Sequence, residues 1–123
     1  MIQSLISEAK KVYGPQIIND EVTIGEVGAA LLTTNGNIYT GISIAAPCGI
    51  GFCAEHSAIA EMLKNGEKDI KLIVAVRGNH VLPPCGRCRE LIRQISRKNY
   101  TDCNVIISSD KCIPLSDLLP LPF

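Results

Sequence analysis

Two short segments of the sequence contain residue types that bind and use a metal ion. Cys53-Ala54-Glu55 lies at the predicted start of one helix, and Pro84-Cys85-Gly86-Arg87-Cys88 lies at the predicted start of another. If the two helices lie side by side on a sheet, their N-termini bring three thiols into one small volume. Three thiolates and one water make the four-coordinate zinc site with an open position that catalysis requires. The positive ends of both helix dipoles would also favour thiolate over thiol.

Glu55 is expected to face the protein interior, because it shares a helical row with Ala58, Ile59 and Met62. A carboxylate there needs a functional reason, since charged side chains are almost never buried without a partner. A zinc-bound water provides one, because the metal lowers its pKa from about 15.7 to about 7 and a carboxylate beside it can take the proton. This predicts hydrolysis at an electron-poor carbon that carries an amino group, with Glu55 passing protons to a ring nitrogen and then to ammonia.

The elements that must position these segments follow from the spacing of the apolar residues. Helices are predicted over Ser4–Tyr13, from near Cys53 to a stop at Asn65-Gly66, from Cys85 to Ile95 and over Leu115–Leu119, and strands over Val27–Leu32, Ile38–Ile44, Ile70–Val76 and Asn104–Ser108. Asn35-Gly36 predicts an antiparallel hairpin between the first two strands, because both residues tolerate positive φ. The fold class is therefore α/β, with four or five strands and helices on both faces of the sheet.

Length and composition limit the classes of function. The 123 residues fit a single domain over positions 1–123. Lys plus Arg and Asp plus Glu both number 12, and this zero net charge argues against a DNA or RNA polymer as partner. No apolar stretch reaches the roughly 18 residues that cross a bilayer. The first residues include Glu8, Lys10 and Lys11 instead of a secretory apolar core, so we expect a cytoplasmic protein with reduced thiols.

Two other functions would use the same cysteines. In a structural zinc module, Cys48 or His56 would close the coordination sphere and leave no water on the metal. In a thiol oxidoreductase, Cys85-Gly86-Arg87-Cys88 would supply both thiols at a helix N-terminus, where a lowered thiol pKa is expected. The oxidoreductase hypothesis leaves Cys53 and Glu55 without a role. Metal analysis of the purified protein separates it from both zinc hypotheses.

With these residues in view, the sequence resembles the small cytidine deaminase family over nearly its whole length. Besides the two cysteine segments, the matching positions are Val27–Leu32, Gly36, Gly41 and Leu118–Phe123. The resemblance implies a three-layer α/β/α sandwich with a mixed sheet of about five strands, a homotetramer and one zinc ion per subunit. It also implies zinc ligation by Cys53, Cys85 and Cys88, with Glu55 as the proton shuttle while zinc-bound hydroxide attacks C4 of a cytosine ring.

The resemblance further implies where a small nucleoside-like substrate binds. Ser43 and Ala54 fall at pocket positions, and Phe123 falls where the family's C-terminal aromatic residue closes a neighbouring subunit's pocket. The Asn and Glu that hold the ribose in cytidine deaminases correspond here to Ser43 and Ala45, and alanine keeps no hydrogen bond. Such bonds discriminate strongly between substrates, so their loss argues against ordinary cytidine. The implied substrate class comprises cytidine, deoxycytidine and blasticidin S-like aminocytosine compounds.

Three basic residues are implied to surround the zinc ligands. His56 stands where the family usually has an arginine that eases the charge of the three thiolates. Arg87 and Arg89 lie close enough along the chain to screen the same thiolates. The Gly86-Arg87 pair between the two ligand cysteines is shared with the blasticidin S deaminase branch of the family.

Overall fold

One mixed sheet with helices on both of its faces makes up the computed structural model, which describes residues 1–123. The helices are α1 (Ile2–Val12), α2 (Ala54–Lys64), α3 (Gly86–Ile95), α4 (Asn99–Asp102) and α5 (Leu115–Leu118), with a 3-10 turn over Pro47–Gly49. The strands are β1 (Gln16–Ile17), β2 (Thr23–Thr33), β3 (Ile38–Ala45), β4 (Ile70–Arg77), β5 (His80–Leu82), β6 (Asn104–Ser108) and β7 (Lys111–Pro114). The longest helices have 11 residues, and none of the helices has the length and apolar character to cross a membrane.

The five main strands lie in the order β3-β2-β4-β6-β7, and β1 and β5 add short pairings to β2 and β4. Only the β4–β6 pair is parallel, so the sheet is mixed. The predicted hairpin is confirmed, since β2 and β3 pair antiparallel up to Leu32 and Ile38. Of the two turn residues singled out from the sequence, only Gly36 has positive φ, at +88°.

The two faces of the sheet carry unequal layers of helix. On one face, α1 buries Leu5, Ile6 and Ala9 against β2 and β4. The other face is covered by α2 and α3 with the short α4 and α5, and its core includes Ile59, Met62 and Ile92. The predicted three-layer α/β/α sandwich is therefore confirmed.

A glycine in β3 sets how closely α2 approaches the sheet. A Cβ atom at Gly41 would lie 2.4 Å from the backbone nitrogen of Ala58 and 2.6 Å from the carbonyl oxygen of Ala54. No side chain fits at such distances, so α2 rests directly on the β3 backbone. This contact fixes the height of the N-terminal turn of α2, where Glu55 lies.

A buried asparagine connects the end of α3 to the start of β4. The Oδ1 atom of Asn99 accepts the backbone N–H of Ile70 at 2.8 Å, and its Nδ2 atom donates to the carbonyls of Lys68 and Ile92 at 3.0 and 2.9 Å. The side chain is 1% exposed. An amide that satisfies three backbone groups in the interior is costly to remove, because each lost partner leaves a buried polar group unpaired.

We therefore expect Asn99→Ala to lower the free energy of unfolding by about 2–4 kcal/mol. Urea denaturation followed by far-UV circular dichroism measures this change. Thr101→Ala, at an exposed position of the same helix α4, is the matched control and should change the free energy by less than about 0.5 kcal/mol. Equal midpoints for the two variants would contradict the structural role of Asn99.

Candidate active site

The three predicted ligand cysteines meet where α2 and α3 begin. Cys53 immediately precedes α2 and Cys85 immediately precedes α3, both with extended backbone conformation. Cys88 lies in the first turn of α3 and is fully buried. The Sγ atom of Cys85 lies 3.4 Å from that of Cys53 and 3.5 Å from that of Cys88. The structure thus brings together three thiols that are separated by up to 35 positions in the chain.

The sulfur spacing suits a tetrahedral zinc ion. Two thiolates bound to one zinc at about 2.3 Å lie roughly 3.8 Å apart, and the observed separations of 3.4 and 3.5 Å are close to this value. Cys48 is exposed, and the side chains whose ligand atoms all lie within 4.8 Å of one another are Cys53, His56 and Cys88. Cys85 joins this group through its sulfur contacts with Cys53 and Cys88. The cluster therefore has the thiol and imidazole donors that zinc prefers.

The surroundings shift the pKa values of the three thiols in different directions. Burial raises the pKa of Cys85, but hydrogen bonds from the backbone of Cys88 and Arg87 and from the neighbouring thiols bring the net pKa below its ordinary value. Burial and the thiol of Cys85 raise the pKa of Cys53. Burial and the charge of Glu55 raise the pKa of Cys88. A bound divalent cation would favour the thiolate form of all three residues.

Glu55 lies in the first turn of α2 and is 5% exposed. Burial raises the pKa of its carboxyl, while hydrogen bonds from its own backbone and from the Cys88 thiol oppose the shift. A carboxyl group with a raised pKa releases and regains a proton more readily near neutral pH than an exposed one. The inward orientation expected from the helical row is therefore present, and it places a proton acceptor beside the thiols.

His56 follows Glu55 in the first turn of α2 and packs against the thiol cluster. One of its ring nitrogens lies within 4.8 Å of the sulfurs of both Cys53 and Cys88. Its Nε2 atom is buried and has no hydrogen-bond partner. Burial and the nearby charge of Arg87 lower the pKa of the imidazole, which favours the neutral ring.

The two arginines predicted near the thiols differ in their contacts. Arg87 is exposed and makes no side-chain hydrogen bond to the protein. Arg89 donates from Nε to the carbonyl of Pro84 at 2.7 Å and from a terminal nitrogen to the carbonyl of Leu118 at 3.0 Å. It therefore ties the residue before Cys85 to α5 and holds this part of the thiol cluster in place.

A cavity of about 290 Å³ opens beside the thiols. It is lined by Glu26, Val27, Ser43, Ala45, Phe52, Cys53, Ala54, Glu55, Ala75, Arg77, Leu82, Pro83 and Cys85. Ser43 and Ala54, both predicted pocket residues, belong to this lining. The Ser43 hydroxyl oxygen accepts the backbone N–H of Val27 at 3.0 Å, which leaves its own proton free to donate into the cavity.

Phe123 lies outside the cavity of its own chain. Its side chain is 93% exposed, and its backbone N–H donates to the carboxylate of Glu90 at 3.1 Å. With this exposure, the Phe123 side chain makes few contacts with its own chain.

Among the residues of the cavity wall that sequence reasoning missed, three are aromatic or charged, namely Phe52, Glu26 and Arg77. Phe52 is held by two backbone hydrogen bonds with Ile44, of 2.9 and 3.0 Å, immediately before Cys53. Glu26 and Arg77 lie on the adjacent strands β2 and β4, with a carboxylate oxygen 3.9 Å from a guanidinium nitrogen. A signal for Arg77 was present, since it is the charged residue that ends the buried run of β4.

The fold and the site together have the features of a zinc hydrolase. The profile described as "Cytidine and deoxycytidylate deaminase zinc-binding region" matches residues 3–102. A blasticidin-S deaminase from Bacillus cereus is 36% identical over 110 residues, covering 79% of this chain and 76% of the relative. A cytidine deaminase from Halalkalibacterium halodurans is 35% identical over 72 residues, covering 57% of this chain and 54% of the relative.

A solved structure leads to the same family. The crystal structure of cytidine deaminase from Mycobacterium tuberculosis superimposes with a TM-score of 0.80 at 26% identity, covering 98% of this chain and 94% of that one. The protein described here belongs to the cytidine and deoxycytidylate deaminase family of zinc-dependent hydrolases. The resemblance predicted from the sequence is therefore confirmed, and zinc is the cofactor.

We expect the purified protein to contain about one zinc ion per chain, because one cluster of three thiols is present. Cys85→Ser should lose most of this zinc, since a serine hydroxyl is a poor zinc ligand. Inductively coupled plasma mass spectrometry after gel filtration measures the metal content. Cys112→Ser is the matched control, because Cys112 packs with the core on the α1 face of the sheet. Full zinc content in Cys85→Ser would contradict this ligand set.

Proposed function

We propose that the protein hydrolytically deaminates the cytosine ring of a nucleoside or nucleoside analogue, with Cys53, Cys85 and Cys88 as zinc ligands and Glu55 as proton shuttle. The observation that carries this proposal is the burial of Glu55 in the wall of a cavity that also contains Cys53 and Cys85. Family membership and the three-thiol cluster support it. The thiol oxidoreductase hypothesis explains neither the family nor Glu55.

Zinc, when bound, supplies the acidity that makes water a nucleophile at neutral pH. The Glu55 carboxylate accepts a proton from the attacking water and delivers it to N3 of the cytosine ring. The second proton passes by the same carboxyl to the departing amino group, which leaves as ammonia while C4 keeps the water oxygen as a carbonyl. The buried position of Glu55 keeps bulk water from competing for these protons.

Ser43, Ala54 and Ala45 support a substrate with fewer sugar contacts than cytidine makes in the family. All three line the cavity, but only Ser43 has a polar side chain. We propose that the substrate belongs to the class of cytidine, deoxycytidine and blasticidin S-like aminocytosine compounds, and the loss of sugar contacts favours a member other than ordinary cytidine. Measuring ammonia release from each compound distinguishes among these substrates. The compound with the highest kcat/KM shows which kind of cytosine compound the enzyme prefers.

Glu55→Gln should lower kcat by about 10²–10⁴-fold while zinc is retained, since the amide cannot accept the proton. Steady-state ammonia release and metal analysis on the same preparation measure both quantities. Glu61→Gln, an exposed position on the same helix α2, is the matched control and should keep wild-type turnover. A Glu55→Gln protein with full zinc and unchanged kcat would rule out the proposed shuttle.

We also propose a homotetramer in which Phe123 closes the cavity of a neighbouring subunit. Its 93% exposure in the single chain supports this role. The exposed Ile50 and Phe52, at the loop before Cys53, provide apolar surface on which another subunit can pack.

Phe123→Ala should raise KM about 10-fold or more, because the cavity would stay open to solvent on one side. Leu121→Ala, which removes a side chain that is 90% exposed two positions earlier, is the control for general effects of the C-terminal segment. Steady-state kinetics on both variants measure the closure of the cavity through KM. Sedimentation equilibrium measures the oligomeric state separately. A monomeric wild-type protein, or identical KM values for the two variants, would contradict this arrangement.

A further inference from the structure

The cavity has one positively charged residue in its wall. Three charged residues contribute to the lining outside the thiols, namely Glu26, Glu55 and Arg77. Glu55 is 5% exposed and lies deep, whereas the side chains of Glu26 and Arg77 are 39% and 60% exposed and lie at the opening. The opening therefore differs in charge from the interior of the cavity.

The donors of Arg77 are unused by the protein. Its guanidinium makes no hydrogen bond to any protein acceptor, and its one ionic contact, with Glu26, spans 3.9 Å, which is too long for a hydrogen bond. A guanidinium has five N–H donors in a planar fork that matches carboxylate and phosphate oxygens. The edge of the guanidinium that does not face Glu26 is available to a ligand.

With zinc bound, the interior of the cavity would repel anions. Three thiolates would carry one negative charge more than one zinc ion neutralises, and Glu55, when ionised, would add a further carboxylate. An anionic substituent on the substrate would therefore avoid the thiol end and gain attraction only at Arg77. This asymmetry would direct the uncharged base inward and the anionic group outward.

We propose that Arg77 is a specificity-determining residue that binds an oxyanion, carboxylate or phosphate, on the substituent attached to the cytosine ring, and that Glu26 keeps the guanidinium at the opening. This inference rests on the proposed deamination, since it concerns the substrate of that reaction. Ala45 offers no hydrogen bond to a sugar hydroxyl, so recognition of the substituent on the cytosine ring would depend on the charged pair Glu26 and Arg77 on β2 and β4.

The test compares matched substrates that differ in charge. Cytidine 5′-carboxylate and its neutral 5′-carboxamide form one pair, and cytidine 5′-monophosphate and cytidine form the other, so the two arms distinguish carboxylate from phosphate. Ammonia release gives kcat/KM for each compound with the zinc-loaded wild type, Arg77→Gln, Arg77→Lys and Glu26→Gln. Arg97→Gln removes an exposed arginine beyond the far end of α3 and is the control. Calorimetric titration of the same compounds measures binding without turnover.

The wild type should prefer the anionic member of at least one pair, and Arg77→Gln should reduce that preference by about 10–100-fold. Arg77→Lys should keep part of the preference, because charge remains without the fork. Two outcomes would overturn the role of Arg77 while deamination stands. In the first, ammonia is released and Arg77→Gln prefers the anionic compounds as strongly as the wild type does. In the second, ammonia is released and the wild type shows no preference for the anionic compounds. Arg77-dependent binding of anions without any ammonia release supports Arg77 and overturns the proposed reaction. If the protein neither releases ammonia nor binds the compounds in a charge-dependent way, the role of Arg77 and the proposed reaction are both overturned.

Discussion

The meeting of two helix N-termini is the constraint on which the rest of the site depends. Cys53 and Cys85 each occupy the residue before a helix, and the Sγ separation of 3.4 Å between them leaves little freedom for either helix to shift along the sheet. Gly41 allows α2 to lie directly on β3, and Arg89 joins the chain before Cys85 to α5. The sheet and the short helix α5 thus act as a rigid support for the thiol cluster.

The proposed chemistry and the proposed substrate recognition would use different parts of the cavity. The thiol end includes Cys53, Ala54 and Glu55 at the start of α2 and Cys85 immediately before α3. The opening includes residues from β2, β3 and β4, among them Ser43 and Arg77. Substitutions at the opening can alter the substrate without moving the thiols or Glu55. Such a separation suits a family whose members act on different cytosine compounds.

Patterns within a single element were sufficient to predict much of this structure. The helical row of Glu55 and the position of Cys53 and Cys85 at helix starts are local properties, and so is the Gly36 turn. Arg77 and Glu26 were missed because their proximity depends on the register between β2 and β4, which no local pattern encodes. The strands β1, β5 and β7 have two to four residues, too few for periodicity to be visible. The role of Asn99 also escaped, because a buried amide is recognised only by its distant partners.

The paired backbone hydrogen bonds between Ile44 and Phe52 give the loop before α2 a double role. This loop carries Phe52 in the cavity wall and Cys53 in the thiol cluster as consecutive residues, so neither can be displaced without the other. A substitution that shifts this loop would therefore alter the wall of the binding cavity and the thiol cluster together.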